Sequence, residues 1–227
     1  MENLLKLPKV SFVVTSYNYE RFITKTLNSI KAQTYKNFEI IIVDDKSSDN
    51  SISVIEDFVN SNPDLDIKFI KKAKNEGQMS AIFTGLKEVK GQFVSFIDSD
   101  DILIKDYAEC HIKTHLKCSV AVTSSQLLEI GENDELHTTY SIASFQKEKQ
   151  DFKSDIKDLD TIDTESIETE VLTLKEAPFG GWYWSPMSAN MFRVETLMPL
   201  LFCNISTHWK ICPDKFLLNY AHLIGGS

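Results

Sequence analysis

A short apolar run, Phe93-Val94-Ser95-Phe96-Ile97, stops on Asp98-Ser99-Asp100-Asp101. Runs of this kind fill buried strands in α/β proteins, and ligands sit just beyond the carboxyl ends of such strands. An Asp-x-Asp there crowds two carboxylates, whose like charges repel unless a cation lies between them. Hard oxygen ligands select Mg²⁺ or Mn²⁺, and Mg²⁺ typically completes a shell of one or two carboxylates with substrate phosphates. The chemistry on offer is a metal–diphosphate site. The plainer alternative is an acidic turn, or a helix N-terminus, after a strand.

Three more groups fall at the same kind of place. Thr15-Ser16-Tyr17-Asn18 follows an apolar run at 9–15, Asp44-Asp45 follows 38–43, and Asn75-Glu76-Gly77-Gln78 follows 66–71. Tyr17 offers a ring on which a base could stack, and Asp45 a carboxylate that could accept a pyrimidine N–H. Gly77 lets a backbone come close at a helix N-terminus. Taken singly, such residues are more often a packing residue, a capping loop and a plain turn. Their order along one sheet edge, closed by Asp98-Ser99-Asp100, points to a nucleoside diphosphate.

The elements that must position these groups alternate. Strands are expected over 9–15, 38–43, 66–71 and 92–97. Between them lie helical patterns at 20–33, from Ser48 or Asp49 to about Asn60, and at 77–90. That alternation predicts a doubly wound, mostly parallel central sheet flanked by helices. A helix near 105–116 and a strand near 119–126 extend it. Residues 129–176 turn polar and acidic, and read as a hairpin over about 129–140 within an element covering the site. Aromatic content returns at Pro178 to Trp184. A strand at 188–192 and helices at 194–201 and 214–223 close the chain, with Gly225-Gly226 as a C-cap.

Bulk properties narrow the class. A chain of 227 residues that is 42% hydrophobic and 25% charged suits one large α/β domain. The formal charge of −9 argues against a nucleic-acid surface. It also repels a diphosphate, a difficulty that a cation at Asp98 and Asp100 would relieve locally. Cys110, Cys118, Cys203 and Cys212 lack metal-ligand spacing and read as reduced thiols. No apolar run reaches the roughly 18–20 residues needed to cross a bilayer. Met1 to Leu7 is too short for a signal peptide, so a cytoplasmic location is expected. His111, His115 and His208 show no partner logic and read as surface or core residues.

The stretches Pro8 to Asn18, Ser29 to Tyr35, Phe38 to Asp49, Asn75 to Gln78 and Asp98 to Asp101 together resemble family-2 glycosyltransferases of the GT-A fold. The likeness is dense over 8–103. It thins after 126, leaving islands at Ser185 to Arg193 and Pro213 to Leu218. It implies a single GT-A catalytic domain, with 8–126 as the nucleotide-sugar-binding half and 127–227 as a smaller acceptor-side half. The chain would be the catalytic part of a longer protein.

Carried over by position, Thr15, Tyr17 and Asp45 would hold the base, usually uracil, with Gly77, Asp98 and Ser99 also on the donor nucleotide. Asp98 would meet the ribose or the metal, and Asp100 would coordinate Mn²⁺ or Mg²⁺. Asp214 stands where such enzymes keep the base for inverting single displacement. It follows Pro213 alone, however, where the family often shows two adjacent acids, so a plain helix cap is the alternative. Asp101, Trp182 and Trp184 would face the donor sugar or acceptor, although the tryptophans could equally plug a core.

The expected reaction is metal-dependent transfer of one sugar from a UDP-sugar to a saccharide or lipid-linked saccharide, in polysaccharide biosynthesis. The processive-synthase motif Gln-x-x-Arg-Trp is absent. No nucleic acid and no membrane span are expected, with association at the inner membrane face open. Two alternatives remain: a non-catalytic nucleotide-sugar-binding domain, and a phosphohydrolase with an Asp nucleophile, against which Ile102 speaks.

Overall fold

Apolar strands alternating with one-sided helices along residues 10–98 build the half of the chain that carries the site. The computed structural model describes residues 7–131, 136–140, 186–203 and 213–226. Strands β1 (Val10–Ser16), β2 (Phe38–Asp44), β3 (Ile67–Lys71) and β4 (Phe93–Asp98) run parallel in the order β3-β2-β1-β4. Two strands of the later chain, β5 (Val122–Ser124) and β8 (Asn190–Arg193), complete a six-stranded sheet ordered β3-β2-β1-β4-β8-β5. β8 pairs antiparallel with both β4 and β5, so the sheet is mixed but mostly parallel. β6 (Leu127–Ile130) and β7 (Leu136–Tyr140) form the expected hairpin apart from it.

Side chains alternate across a strand, so each strand feeds two cores. On one face Val10, Phe12, Val14, Ile40 and Ile42 pack under α1 (Ile23–Lys31), α2 (Ser51–Ser61) and α4 (Tyr107–Lys117). On the other, Val13, Ile41, Val43, Val94 and Phe96 pack under α3 (Gln78–Leu86) and α6 (Pro213–Gly225). Val13, Val43, Val94 and Phe96 are at most 1% exposed, with apolar neighbours on every side. The same alternation continues to the strand ends. Thr15 follows Val13 and Asp98 follows Phe96 onto the α3/α6 face, and Thr15 and Asp98 are register partners.

Several boundaries move for identifiable reasons. The helix expected over 77–90 ends at Leu86, because Gly91 must back onto β1 before β4 begins. A Cβ at Gly91 would stand 2.6 Å from the Lys9 carbonyl and 2.7 Å from Ser11 Oγ. The strand expected at 188–192 opens as a 3₁₀ turn, Met187–Ala189. The helix expected at 194–201 is four residues of α5 (Val194–Leu197) and then a 3₁₀ segment, Met198–Phe202, whose Pro199 has no N–H to donate. Gly225 lies inside α6, and Gly226 takes the left-handed position at φ 74° that ends it.

His111 and His115 are core residues, 4% and 1% exposed. Thr123 Oγ1 lies 2.6 Å from His111 Nδ1 and 3.1 Å from His115 Nε2, and the latter is also 3.0 Å from the Met191 carbonyl. Cys110, Cys118 and Cys203 are free thiols. Among the described residues, no helix is long and apolar enough to cross a membrane.

Candidate functional site

The carboxyl ends of β1, β2, β3 and β4 gather at one sheet edge, where α3 and α6 begin. Thr15 and Asp98 form the floor between β1 and β4. Tyr17 leaves the edge with its side chain 43% exposed, a ring free to stack. Asn18, at φ 62°, folds the loop back: its Oδ1 accepts from the Ser48 amide at 2.7 Å, and its own N–H reaches Ser47 Oγ at 2.9 Å. Buried Asp44 accepts from the Ser47 amide at 2.8 Å, and so braces the β2 loop.

Asp45 is 3% exposed. Its Oδ2 accepts from Gly77 N–H at 2.6 Å, its Oδ1 from the Lys72 ammonium at 2.5 Å, and both oxygens lie 3.1 Å from the Glu76 amide. The carboxylate therefore clips the 75–77 turn to the end of β2. Lys72 is 8% exposed along its side chain, and its charge is shared with Ser80 Oγ at 2.9 Å and Glu76 at 3.3 Å. Gly77, at φ 90°, is the hinge of this turn, a conformation that L side chains rarely adopt.

Beyond β4 the chain turns tightly, with the Asp101 N–H donating to the Asp98 carbonyl at 3.1 Å. Ser99 faces inward. It is 1% exposed, donates from Oγ to the Thr15 carbonyl at 2.7 Å, and accepts at its own carbonyl from Thr26 Oγ1 at 2.7 Å. It supports the loop from behind, while Asp100 is exposed.

Burial pushes the Asp98 carboxyl up to about 7, helped by the charges of Asp101, Asp100 and Asp214 and opposed by a hydrogen bond from Gln78. Burial likewise raises Asp101, which Ser188 partly offsets and Asp100 reinforces. Asp214, in the first turn of α6, is thus close enough to bear on Asp98 across the cleft, and it also accepts from the Lys215 amide at 3.0 Å. Four acids thus stand at one sheet edge, where their like charges oppose one another's ionisation.

Several contributors were not apparent as site residues from the sequence. Gln78 Nε2 donates to Asp98 Oδ1 at 2.6 Å, and Ser188 Oγ accepts from the Asp98 amide at 2.9 Å. Tyr19 faces the same acids: burial, then Asp100, Asp98 and Asp101, raise its phenol. Lys72 holds Asp45. Gln78 stood inside the Asn75 to Gln78 motif and Ser188 inside the Ser185 to Arg193 island with no role given to either side chain, Tyr19 stood just past Asn18, and nothing in sequence marked Lys72. Trp182 and Trp184 lie outside the described residues.

Among the described residues, no three His, Cys, Asp or Glu side chains form a metal cage.

A profile for glycosyl transferase family 2 matches residues 11–169. The chain is 37% identical over 112 residues to the UDP-Glc:α-D-GlcNAc-diphosphoundecaprenol β-1,3-glucosyltransferase WfgD of Escherichia coli, covering 49% of this chain and 43% of WfgD. It is 35% identical over 126 residues to glycosyltransferase GlyA of Streptococcus pneumoniae, covering 56% of this chain and 18% of GlyA. The chain thus spans less than half the length of either relative.

Among solved structures, S. aureus TarS 1–349 superposes with a TM-score of 0.55 at 25% identity, covering 84% of this chain and 48% of that one. The mannosyltransferase PcManGT of Pyrobaculum calidifontis, in complex with GDP-Man and Mn²⁺, gives 0.51 at 25% identity, covering 53% and 36%.

Proposed function

Because this chain belongs to glycosyl transferase family 2, we propose that its sheet edge transfers one sugar from a UDP-sugar to a saccharide or lipid-linked saccharide, with inversion. The observation that carries this reading is the carboxylate group of Asp98, Asp100 and Asp101. Asp98 is pushed up to about 7 by burial and by its two acidic neighbours. Such crowding is relieved by a cation bridging to a diphosphate.

Thr15, Tyr17 and the Asp45–Gly77 turn would receive the nucleoside. Both Asp45 oxygens already accept protein donors, so a base N–H must share or displace one of them. Asp100, which is exposed, and Asp98 would hold Mn²⁺ or Mg²⁺; the bound ion would neutralise the departing diphosphate. Asp214, in the first turn of α6 where the helix dipole is positive, is suited to take the acceptor hydroxyl's proton. That oxygen bonds to the anomeric carbon as the bond to the diphosphate breaks, and the electron pair leaves with UDP. Asp101 would border the sugar beside Ser188.

The likeness to WfgD, a UDP-Glc:α-D-GlcNAc-diphosphoundecaprenol glucosyltransferase, supports a UDP-sugar donor and a lipid-linked acceptor. PcManGT's complex supports Mn²⁺. A lipid-linked acceptor would bring the protein to a membrane surface.

Calorimetry of UDP with and without Mn²⁺ tests the donor site, and Asp100→Ala should abolish the metal-dependent part while the fold persists. Slow hydrolysis of a UDP-sugar separates an enzyme from a binding domain. Protein that binds no UDP in either condition overturns the reading.

A further inference from the structure

We propose that Gln78 is a positioning residue of the transfer site, whose side-chain amide locks the Asp98 carboxylate in place; this rests on the glycosyltransferase reading above. Asp98 ends β4 with its backbone fixed: its N–H is held by Ser188, and its carbonyl accepts from the Asp101 amide. Its side chain still has rotatable bonds, and Asp100 and Asp101 repel it. Gln78 Nε2 donates to that carboxylate, 2.6 Å from Oδ1. Only the NH₂ end of the amide can donate to a carboxylate, which sets its orientation.

Gln78 is itself held. It is the first residue of α3, and the preceding Gly77 gives its N–H to Asp45 at 2.6 Å. Asp45 is gripped by Lys72, which also reaches Ser80 Oγ on the first turn of the helix. The chain Lys72–Asp45–Gly77–Gln78–Asp98 therefore ties the ends of β2, β3 and β4 together. It also joins the side expected to hold the base to the side expected to hold the metal. The residue type matters as much as the place. A lysine or arginine reaching Asp98 would neutralise it and compete with a cation, whereas a neutral amide orients one oxygen and leaves the charge available.

The full chain, wild type and with Gln78→Met or Gln78→Glu, is assayed for Mn²⁺-dependent UDP binding, donor KM, kcat and melting temperature. A hydrogen bond to a charged group contributes enough that Gln78→Met should weaken Mn²⁺–UDP binding by about tenfold or more. Gln78→Glu is isosteric but replaces the donor with a fifth negative charge, and should lose more. Both losses should appear chiefly in donor KM and metal half-saturation, with melting temperatures near wild type.

A merely structural role predicts the reverse order, because a glutamate in the first turn of a helix is favourable. Gln78→Glu that binds as wild type, or binding losses that only follow melting temperature, overturn the proposal. If Gln78→Glu fails to fold, Gln78→Met decides alone: unchanged binding overturns it. Wild-type protein indifferent to UDP and Mn²⁺ overturns the transfer reading itself, an outcome distinct from wild-type binding with unaffected variants.

Discussion

The buried pair His111 and His115 should make the sheet's far edge acid-labile, by an amount that can be worked out. Burial, and then the neighbouring His115, push His111 from 6.5 down to about 3. Burial pushes His115 to about 4, with Arg193 adding to the drop and the Met191 carbonyl resisting it. In the unfolded chain both rings take protons near their ordinary values, while the folded protein refuses them until pH 3–4. Stability that is full above pH 6.5 therefore falls as pH drops.

At pH 5.5 each ring costs about 1.4 kcal/mol relative to pH 8, and together about 3 kcal/mol. Asp98 works in the other direction. Raised to about 7 when folded, it protonates before its unfolded counterpart and adds about 2 kcal/mol over the same interval. The wild-type curve alone would show only the difference, so the comparison must cancel Asp98.

Urea unfolding of wild type and of His111→Gln/His115→Gln at pH 8 and pH 5.5 does so. Glutamine keeps an amide for Thr123 and does not titrate. The two proteins should differ in their pH dependence by about 3 kcal/mol, wild type losing more on acidification. Parallel curves would refute the reasoning, and would mean that the rings are solvated or already charged at neutral pH.

Other perturbations read other parts of the molecule. Asp214→Asn preserves the shape of the α6 first turn, so Mn²⁺–UDP affinity should stay within a few fold while transfer falls by about 10² or more; near-normal transfer would make Asp214 only a cap. Lys72→Met strands the buried Asp45 charge, leaving it, among the described residues, the Glu76 and Gly77 amides. It should cost about 3 kcal/mol in urea unfolding and weaken UDP binding, and a loss under ~1 kcal/mol would show that the pair contributes little. Gly91→Ala drives a Cβ into the Lys9 carbonyl at 2.6 Å, backbone that cannot swing away. It should destabilise by about 1–3 kcal/mol with UDP affinity of the folded protein kept, as a thermal melt and calorimetry would show.

The strand runs, their order and the loop motifs after them were legible because parallel strands buried on both faces must be continuously apolar. Val10–Ser16, Phe38–Asp44 and Phe93–Asp98 came within a residue of expectation on that ground alone. Periodicity cannot report strand direction, so β8 entering antiparallel between β4 and β5 was invisible. Helix ends moved where a long-range contact intervened, as at Gly91 against β1.

At the site, the sequence determined which acids, which aromatic and which glycine stand at the strand ends. Only tertiary structure decided how they face one another. It spent the Asp45 oxygens on Lys72, Glu76 and Gly77, and turned Ser99 inward to β1. It also brought Asp214, Gln78 and Ser188 to Asp98 from far along the chain. Hydrophobic pattern is a local property that burial enforces residue by residue. The partner of a polar side chain depends on which elements the packed core sets side by side.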